Sequence, residues 1–234
     1  MTFLHDLFVW FNDPLNWRGT NGITHRLIEH VVLCFVALLI ACAIAVPGGI
    51  ALGRSKRSGS VTLNVANIGR AIPSFAVIAL GVIWLGIGVR PALIALVLLA
   101  LPPIFTLTFT AVRGVDRATI DAARGMGMTE GHLLRRVQLP IAMPLILNGV
   151  RLSSSAIIAT ASLAALISWG GLGRFIVDGF AVRDFVQVTA GVVLIAALVL
   201  LNEAIFAGIA RLTTSPGLRR TNLDPKDRLL ARKG

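Results

Sequence analysis

The chain has 234 residues, 56% of them apolar, and its 23 glycines bring that share to about two thirds, where an ordinary soluble domain reaches ~45–50%. Charged residues make up only 14% and the mean hydropathy is +0.82, which excludes a soluble globular domain and points to a chain solvated mostly by lipid. The net charge of +11 comes from 22 Lys+Arg against 11 Asp+Glu; these bases lie in short loops between apolar runs, not on one basic face, so they speak for membrane orientation and against nucleic acid.

In chain order, residues 1–23 form an extracytoplasmic N-terminal segment. Its stretch Phe3–Phe11 is apolar but too short to span, and Leu4, Leu7, Phe8 and Phe11 share one helical face, which predicts a helix lying at the membrane interface, a frayed terminus being the alternative reading. Asp6 and Asp13 interrupt this region and no charged-then-apolar start precedes it, so no cleavable signal peptide is expected. Uninterrupted apolar runs over 31–53, 71–89, 91–112, 152–171 and 186–210 predict an all-α integral membrane protein with five transmembrane helices. Cys34 and Cys42 lie eight apart in the first run, a spacing that indicates neither a disulfide nor a metal site. Gly49 and Gly53 make a G-x-x-x-G pair, a helix-packing signal. Pro47, Pro73, Pro102 and Pro103 each remove a backbone donor inside an apolar run, which bends or interrupts a helix where neighbours or a cavity can satisfy the freed carbonyl. Proline is also common in membrane helices for no functional reason.

Charge sets the expected orientation. Segments 54–70, 113–151 and 211–234 hold 17 of the 22 Lys/Arg and the remaining segments hold five, so the larger set belongs in the cytoplasm. The N-terminus is then outside, and residues 212–234 are a basic cytoplasmic tail. Trp84 and Trp169 fall at outer ends of spans, where indoles favour the headgroup region.

The segment 114–149, between the third and fourth spans, is too long for a turn and carries helical punctuation. Asp116 is placed to cap a helix over 117–124 that presents Ala118, Ala122 and Ala123, and Gly125-Met126-Gly127-Met128 breaks it. Thr129 is placed to cap a second short helix through Val137, with Leu133, Leu134 and Val137 on one side and Arg135 and Arg136 on another. Pro140 and Pro144 are expected to end that helix and return the chain to the membrane. Such a projection suits docking into a groove on a cytoplasmic partner. Ala123 is expected to present its methyl to that partner, and Gly127 to hold a backbone conformation that a side chain penalises.

Asp121-Ala122-Ala123, then three residues, Gly127, nine residues and Val137-Gln138-Leu139-Pro140 resemble the "EAA loop" (E-A-A-x3-G-x9-I-x-L-P) of ABC importer permeases, with Asp121 for Glu and Val137 for Ile. Gly69-Arg70-Ala71-Ile72-Pro73-Ser74, Gly86-Ile87-Gly88-Val89-Arg90-Pro91-Ala92, Asp121–Met128 and Gly170-Gly171-Leu172-Gly173 resemble the osmoprotectant branch, which imports glycine betaine, carnitine or choline. The resemblance implies a type I permease domain over 24–211 in a bacterial plasma membrane. It implies an ATPase-coupling loop carried by Asp121, Ala122, Ala123, Gly127, Met128, Glu130, Leu133, Leu134, Val137, Leu139 and Pro140. It also implies a second permease, identical or paralogous, two ATPase subunits and an extracytoplasmic binding protein. ATP and Mg belong to the ATPase, and this chain would bind no cofactor.

The residues themselves bear on two other classes. No G-x-x-x-x-G-K-[ST] is present to cradle a nucleotide phosphate. An ion-coupled secondary transporter usually needs ionisable groups at the midplane, and Glu203, beside Asn202, is the sole acidic residue within a predicted span; it is either a pathway group or a carboxylate paired near the cytoplasmic face. A membrane enzyme is disfavoured, because His5, His25, His30 and His132 are scattered and form no acid–base or metal constellation. The chain has no Tyr to build an aromatic cage for a quaternary ammonium group, which assigns that cage to the binding protein. Pro73, Ser74, Ser155, Thr160 and Ser162 are candidates for lining a translocation path. Ser153 and Ser154 belong to the same small-residue region, for which close helix packing is the alternative reading. A permease for another small solute, such as an amino acid, fits the same loop.

Overall fold

The structure is a computed structural model that describes residues 2–55, 74–167 and 170–213. Expectations on the loop at 56–70, Pro73, Trp169 and the tail beyond 213 lie outside them. Every secondary-structure element among the described residues is helical: α1 (Thr2–Asn12), α2 (Ile23–Arg54), α3 (Ser74–Leu85), α4 (Val89–Arg113), α5 (Arg117–Gly125), α6 (Glu130–Leu133), α7 (Leu139–Ala161), α8 (Gly173–Val182) and α9 (Phe185–Thr213). Short 3₁₀ turns follow α1 at Pro14–Asn16 and α7 at Ser162–Ile167.

Among the described residues, four stretches are long and apolar enough to cross a membrane: Ile23–Arg54, Val89–Arg113, Glu130–Ile167 and Phe185–Leu212. The second expected span is represented by α3, a 12-residue helix that rises only about 18 Å against a hydrocarbon thickness of about 30 Å. Its expected start at 71–73 lies outside the described residues. Its end differs from expectation. Gly86 and Gly88 take φ of +77° and +139°, a turn that a side chain would resist, so the helix stops at Leu85; Val89, expected to end the second span, and Arg90, expected in a loop, both open α4.

The helices pack through small residues. On α2, Ala37, Ala41, Ala45, Gly49 and Gly53 recur every fourth position and are all buried. They meet a matching row on α4, where Ala92, Leu96, Ala100, Ile104, Thr108 and Val112 share the same spacing. Lipid tails are as apolar as leucine, so no hydrophobic force drives one membrane helix onto another; close backbone approach through such residues supplies the dispersion contacts instead. The G-x-x-x-G pair is the end of this ladder: a methyl on Gly49 would sit 2.7 Å from Thr108 Cβ, and one on Gly53 3.0 Å from the Phe109 carbonyl oxygen. α7 closes the core through Ile157, Ile158 and Ala161. The opposite face of α2 shows Val32, Phe35 and Leu39 to the surroundings, as a lipid-facing surface should.

α2, α4 and α7 run through Pro47, Pro102, Pro103 and Pro144 as continuous helices. This corrects the expected ending at Pro140 and Pro144. Pro140 lies in the first turn of α7. One residue earlier, Leu139 N–H reaches back five residues to the Leu134 carbonyl, so Leu134–Gln138 forms a π turn that shifts the hydrogen-bond register just before the missing donor. The fourth span therefore begins at Leu139, not Leu152, and residues 139–149 of the expected loop belong to it. α1 packs its Trp10 and Phe11 against Ile23 and Phe175, with Trp10 edge-on to Phe175 at 5.6 Å.

Candidate functional site

The loop between α4 and α7 folds by local rules. Asp116 caps α5, its carboxylate accepting from Ala118 N–H at 3.4 Å. The helix ends in a Schellman motif: Met128 N–H donates to the Ala123 carbonyl at 3.2 Å and Gly127 N–H to Arg124 at 2.9 Å, with Gly127 at φ +79°. This geometry explains the spacing of A-A-x3-G. The second alanine stands where the first orphan carbonyl is capped, and the glycine four residues later supplies the left-handed conformation. Thr129 then caps α6, accepting from His132 N–H at 3.5 Å.

Burial divides the loop into an inner and an outer set. Leu133 and Ala123 are buried at 0% and 2% exposure and Gln138 at 6%; Leu134, Val137, Leu139 and Met128 are half-buried. Asp121, Ala122, Gly127, Glu130 and Pro140 are exposed, as is Met126 at 72%. Ala123 therefore does not present its methyl outward as expected. It packs beneath the turn, and the outward positions are Ala122 and Met126.

An ion network ties the loop to α2. The Glu130 carboxylate accepts from Arg54 Nη2 at 2.6 Å and Arg124 Nε at 2.9 Å, and Asp121 approaches Arg124 at 3.6 Å. The Glu130 hydrogen bond pushes the Arg124 guanidinium still further up from its ordinary value. Beside it, the Arg113 guanidinium lies 5.6 Å from the Phe109 ring centroid.

The candidates for the path are not one cluster. Pro73 lies outside the described residues and Ser74 opens α3. Ser155 and Thr160 lie on α7 but stand roughly 140° apart round the helix, and Ser162 opens the 3₁₀ turn beyond it. Ser162 Oγ donates to the Ala159 carbonyl at 2.8 Å, and Ser153 Oγ, buried, donates to Ala100 at 3.1 Å, a helix-packing role. Ser155 differs, because its hydroxyl donates to Glu203 at 2.5 Å. Arg151 Nε donates to the other Glu203 oxygen at 2.5 Å, while Asn202 Nδ2 donates to Ser154 and Ser155 at 2.9 and 3.0 Å. Glu203 is thus paired, and Arg151 is the residue that sequence reasoning counted as a cytoplasmic loop charge.

At the other end of the spans, the glycine-rich segment 170–173 is packed onto α2. Gly171 N–H donates to Glu29 at 2.8 Å, Arg26 Nη1 donates to the same carboxylate at 2.9 Å, and Leu172 is fully buried. A side chain on Gly170 would run into the Glu29 carboxylate. Next to it, buried His30 bonds the Ile158 carbonyl at 3.0 Å through Nε2. No group of three or more His, Cys, Asp or Glu suited to a metal occurs among the described residues.

Comparison with known proteins places this arrangement. The family described as the binding-protein-dependent transport system inner membrane component matches residues 45–215. The choline transport system permease protein OpuBB of Bacillus subtilis (strain 168) is 32% identical over 203 residues, 86% of this chain and 94% of that protein. The carnitine transport permease protein OpuCB of Listeria monocytogenes is 42% identical over 151 residues, 64% of this chain and 69% of that protein. Among solved structures, the inward-facing MetNI methionine ABC transporter matches with a TM-score of 0.71 at 22% identity, over 82% of this chain and 96% of that one, a likeness of fold. The all-helical fold and the match over residues 45–215 agree, and the chain belongs to the family of inner membrane components of binding-protein-dependent ABC transport systems.

Proposed function

We propose that this chain is the permease subunit of an ABC importer for a quaternary-ammonium osmoprotectant such as glycine betaine, carnitine or choline. The observation that carries the reading is the similarity to a choline permease over nearly that protein's whole length, together with a loop at 114–138 built as a projecting helix–turn–helix. In this reading the exposed part of that loop docks on an ATPase subunit, and motion of the dock is passed through Glu130 and Arg54 to α2 and through the unbroken run from Glu130 to α7. Two ATPase subunits, a second permease, identical or paralogous, and an extracytoplasmic binding protein complete the transporter. ATP and Mg are held by the ATPase and not by this chain. The N-terminus is outside, with the loop and the basic tail in the cytoplasm.

The test is co-expression with an ATPase subunit and a binding protein from the same source, in a host lacking osmolyte uptake, followed by uptake of labelled glycine betaine, carnitine, choline and a panel of amino acids. Saturable uptake of one of the first three, dependent on all the subunits, is expected. Uptake confined to an amino acid would overturn the substrate class, and hydrolysis of ATP by this chain alone would overturn the division of labour.

A further inference from the structure

The pair Arg151–Glu203 lies where a membrane protein rarely leaves charge. Glu203 is ten residues before Thr213 and 18 after Phe185 on α9, about 15 Å and 27 Å along the axis. With a hydrocarbon core of about 30 Å, the pair falls inside it. Its side chains nevertheless remain 40% and 31% exposed on this chain. Elsewhere α9 exposes Val192, Val193, Leu200, Leu201 and Ile205, as lipid requires. On α7, Asn148, Arg151 and Ser155 recur on one accessible face, beside the exposed Leu152. A cavity of about 380 Å³ opens between α7 and α9 with Pro144, Asn148, Arg151 and Phe206 in its wall. Charge inside a membrane faces a water-filled space or a protein partner, because lipid cannot solvate it.

Resting on the substrate class proposed above, we propose that Arg151 and Glu203 form a charge-matched station on the translocation path. A zwitterionic solute replaces the internal ion pair with two pairs of its own. Its carboxylate takes the fork of the Arg151 guanidinium, and its quaternary ammonium, which has no proton to donate, takes the Glu203 carboxylate by charge alone. Ser155 and Asn202 hold Glu203 while Arg151 is drawn away. A purely cationic solute leaves Arg151 without a partner, so the station favours zwitterions over cations.

The experiment measures Vmax/KM for glycine betaine and choline in proteoliposomes of the complete transporter. Arg151→Gln is expected to shift the glycine betaine to choline ratio at least tenfold toward choline, and Glu203→Gln to shift it the other way. A ratio unchanged in both variants, whatever the loss of total activity, overturns the proposal, since a merely structural pair scales both solutes together. A second measurement needs no solute. With Cys34 and Cys42 replaced by Ala, Ser155→Cys is expected to react with a charged methanethiosulfonate and to change its rate when vanadate and ATP trap the transporter. An inert Cys overturns the placement on a water-filled path. Should the wild type import neither solute, the substrate class fails, and the labelling still decides whether this face meets water.

Discussion

The backbone N–H of Gly171 donates to the Glu29 carboxylate at 2.8 Å, joining the glycine-rich segment before α8 to the first turns of α2 across 142 residues of sequence. Two constraints meet at this glycine: a φ of +82° and a would-be Cβ 3.2 Å from His30 Nδ1. Gly86 shares the first constraint, with φ +77°, but has nothing within 4 Å. Gly171→Ala is therefore expected to lower the unfolding temperature in detergent more than Gly86→Ala, which carries only the backbone penalty of about 1 kcal/mol. Equal losses would show that the contact with His30 adds nothing.

The ladder between α2 and α4 makes a second comparison. A Cβ at Gly49 would meet Thr108 at 2.7 Å, whereas one at Gly208 on α9 meets nothing within 4 Å. Gly49→Val overpacks the interface and is expected to cost about 1–3 kcal/mol. Gly208→Val should be close to neutral in the same thermal assay. A neutral Gly49→Val would mean that α2 and α4 are further apart than described.

What the sequence makes legible here is local. Asp116, Gly127 and Thr129 act on donors and carbonyls within five residues, so the helix, turn and cap of the loop are readable from residue type and spacing. The α2 ladder is only half readable, because Ala37, Ala41 and Ala45 look like any apolar residues until α4 lies against them. Pro140 misleads: proline does break helices, but the π turn at Leu134–Gln138 absorbs its missing donor. Ala123 misleads for another reason, since a nine-residue helix has an inner face that only its packing partner defines. The bond between Arg151 and Glu203 spans 52 residues, and no rule of spacing connects them.

The proposed orientation rests on the division of Lys and Arg and is open to direct measurement. In a background with Cys34 and Cys42 replaced by Ala, a single cysteine at Asp178 is expected to react with a membrane-impermeant maleimide in intact cells. One at Lys56 should react only after permeabilisation. The inverse pattern would turn the whole reading round, placing the loop at 114–138 on the outer side, where no ATPase could reach it.

On the proposed docking role, burial separates folding from coupling in the loop at 114–138. Met126 is 72% exposed at the tip of the turn, while Ala123 is 2% exposed beneath it. Met126→Glu adds a charge that water can solvate, so the protein should reach the membrane at normal abundance. The apolar tip would be lost, and co-purification with the ATPase should fall at least tenfold. Ala123→Glu pushes a carboxylate into the packed side of α5, where it has neither room nor partner, so abundance itself should drop. Gly127 has no neighbour within 4 Å, and its constraint is φ alone. Gly127→Asn, which tolerates the left-handed region, should retain coupling, and Gly127→Val should lose it. Abundance and co-purification measured together decide the matter. If Met126→Glu left ATPase binding and uptake intact, the exposed tip of this loop would not be the docking surface.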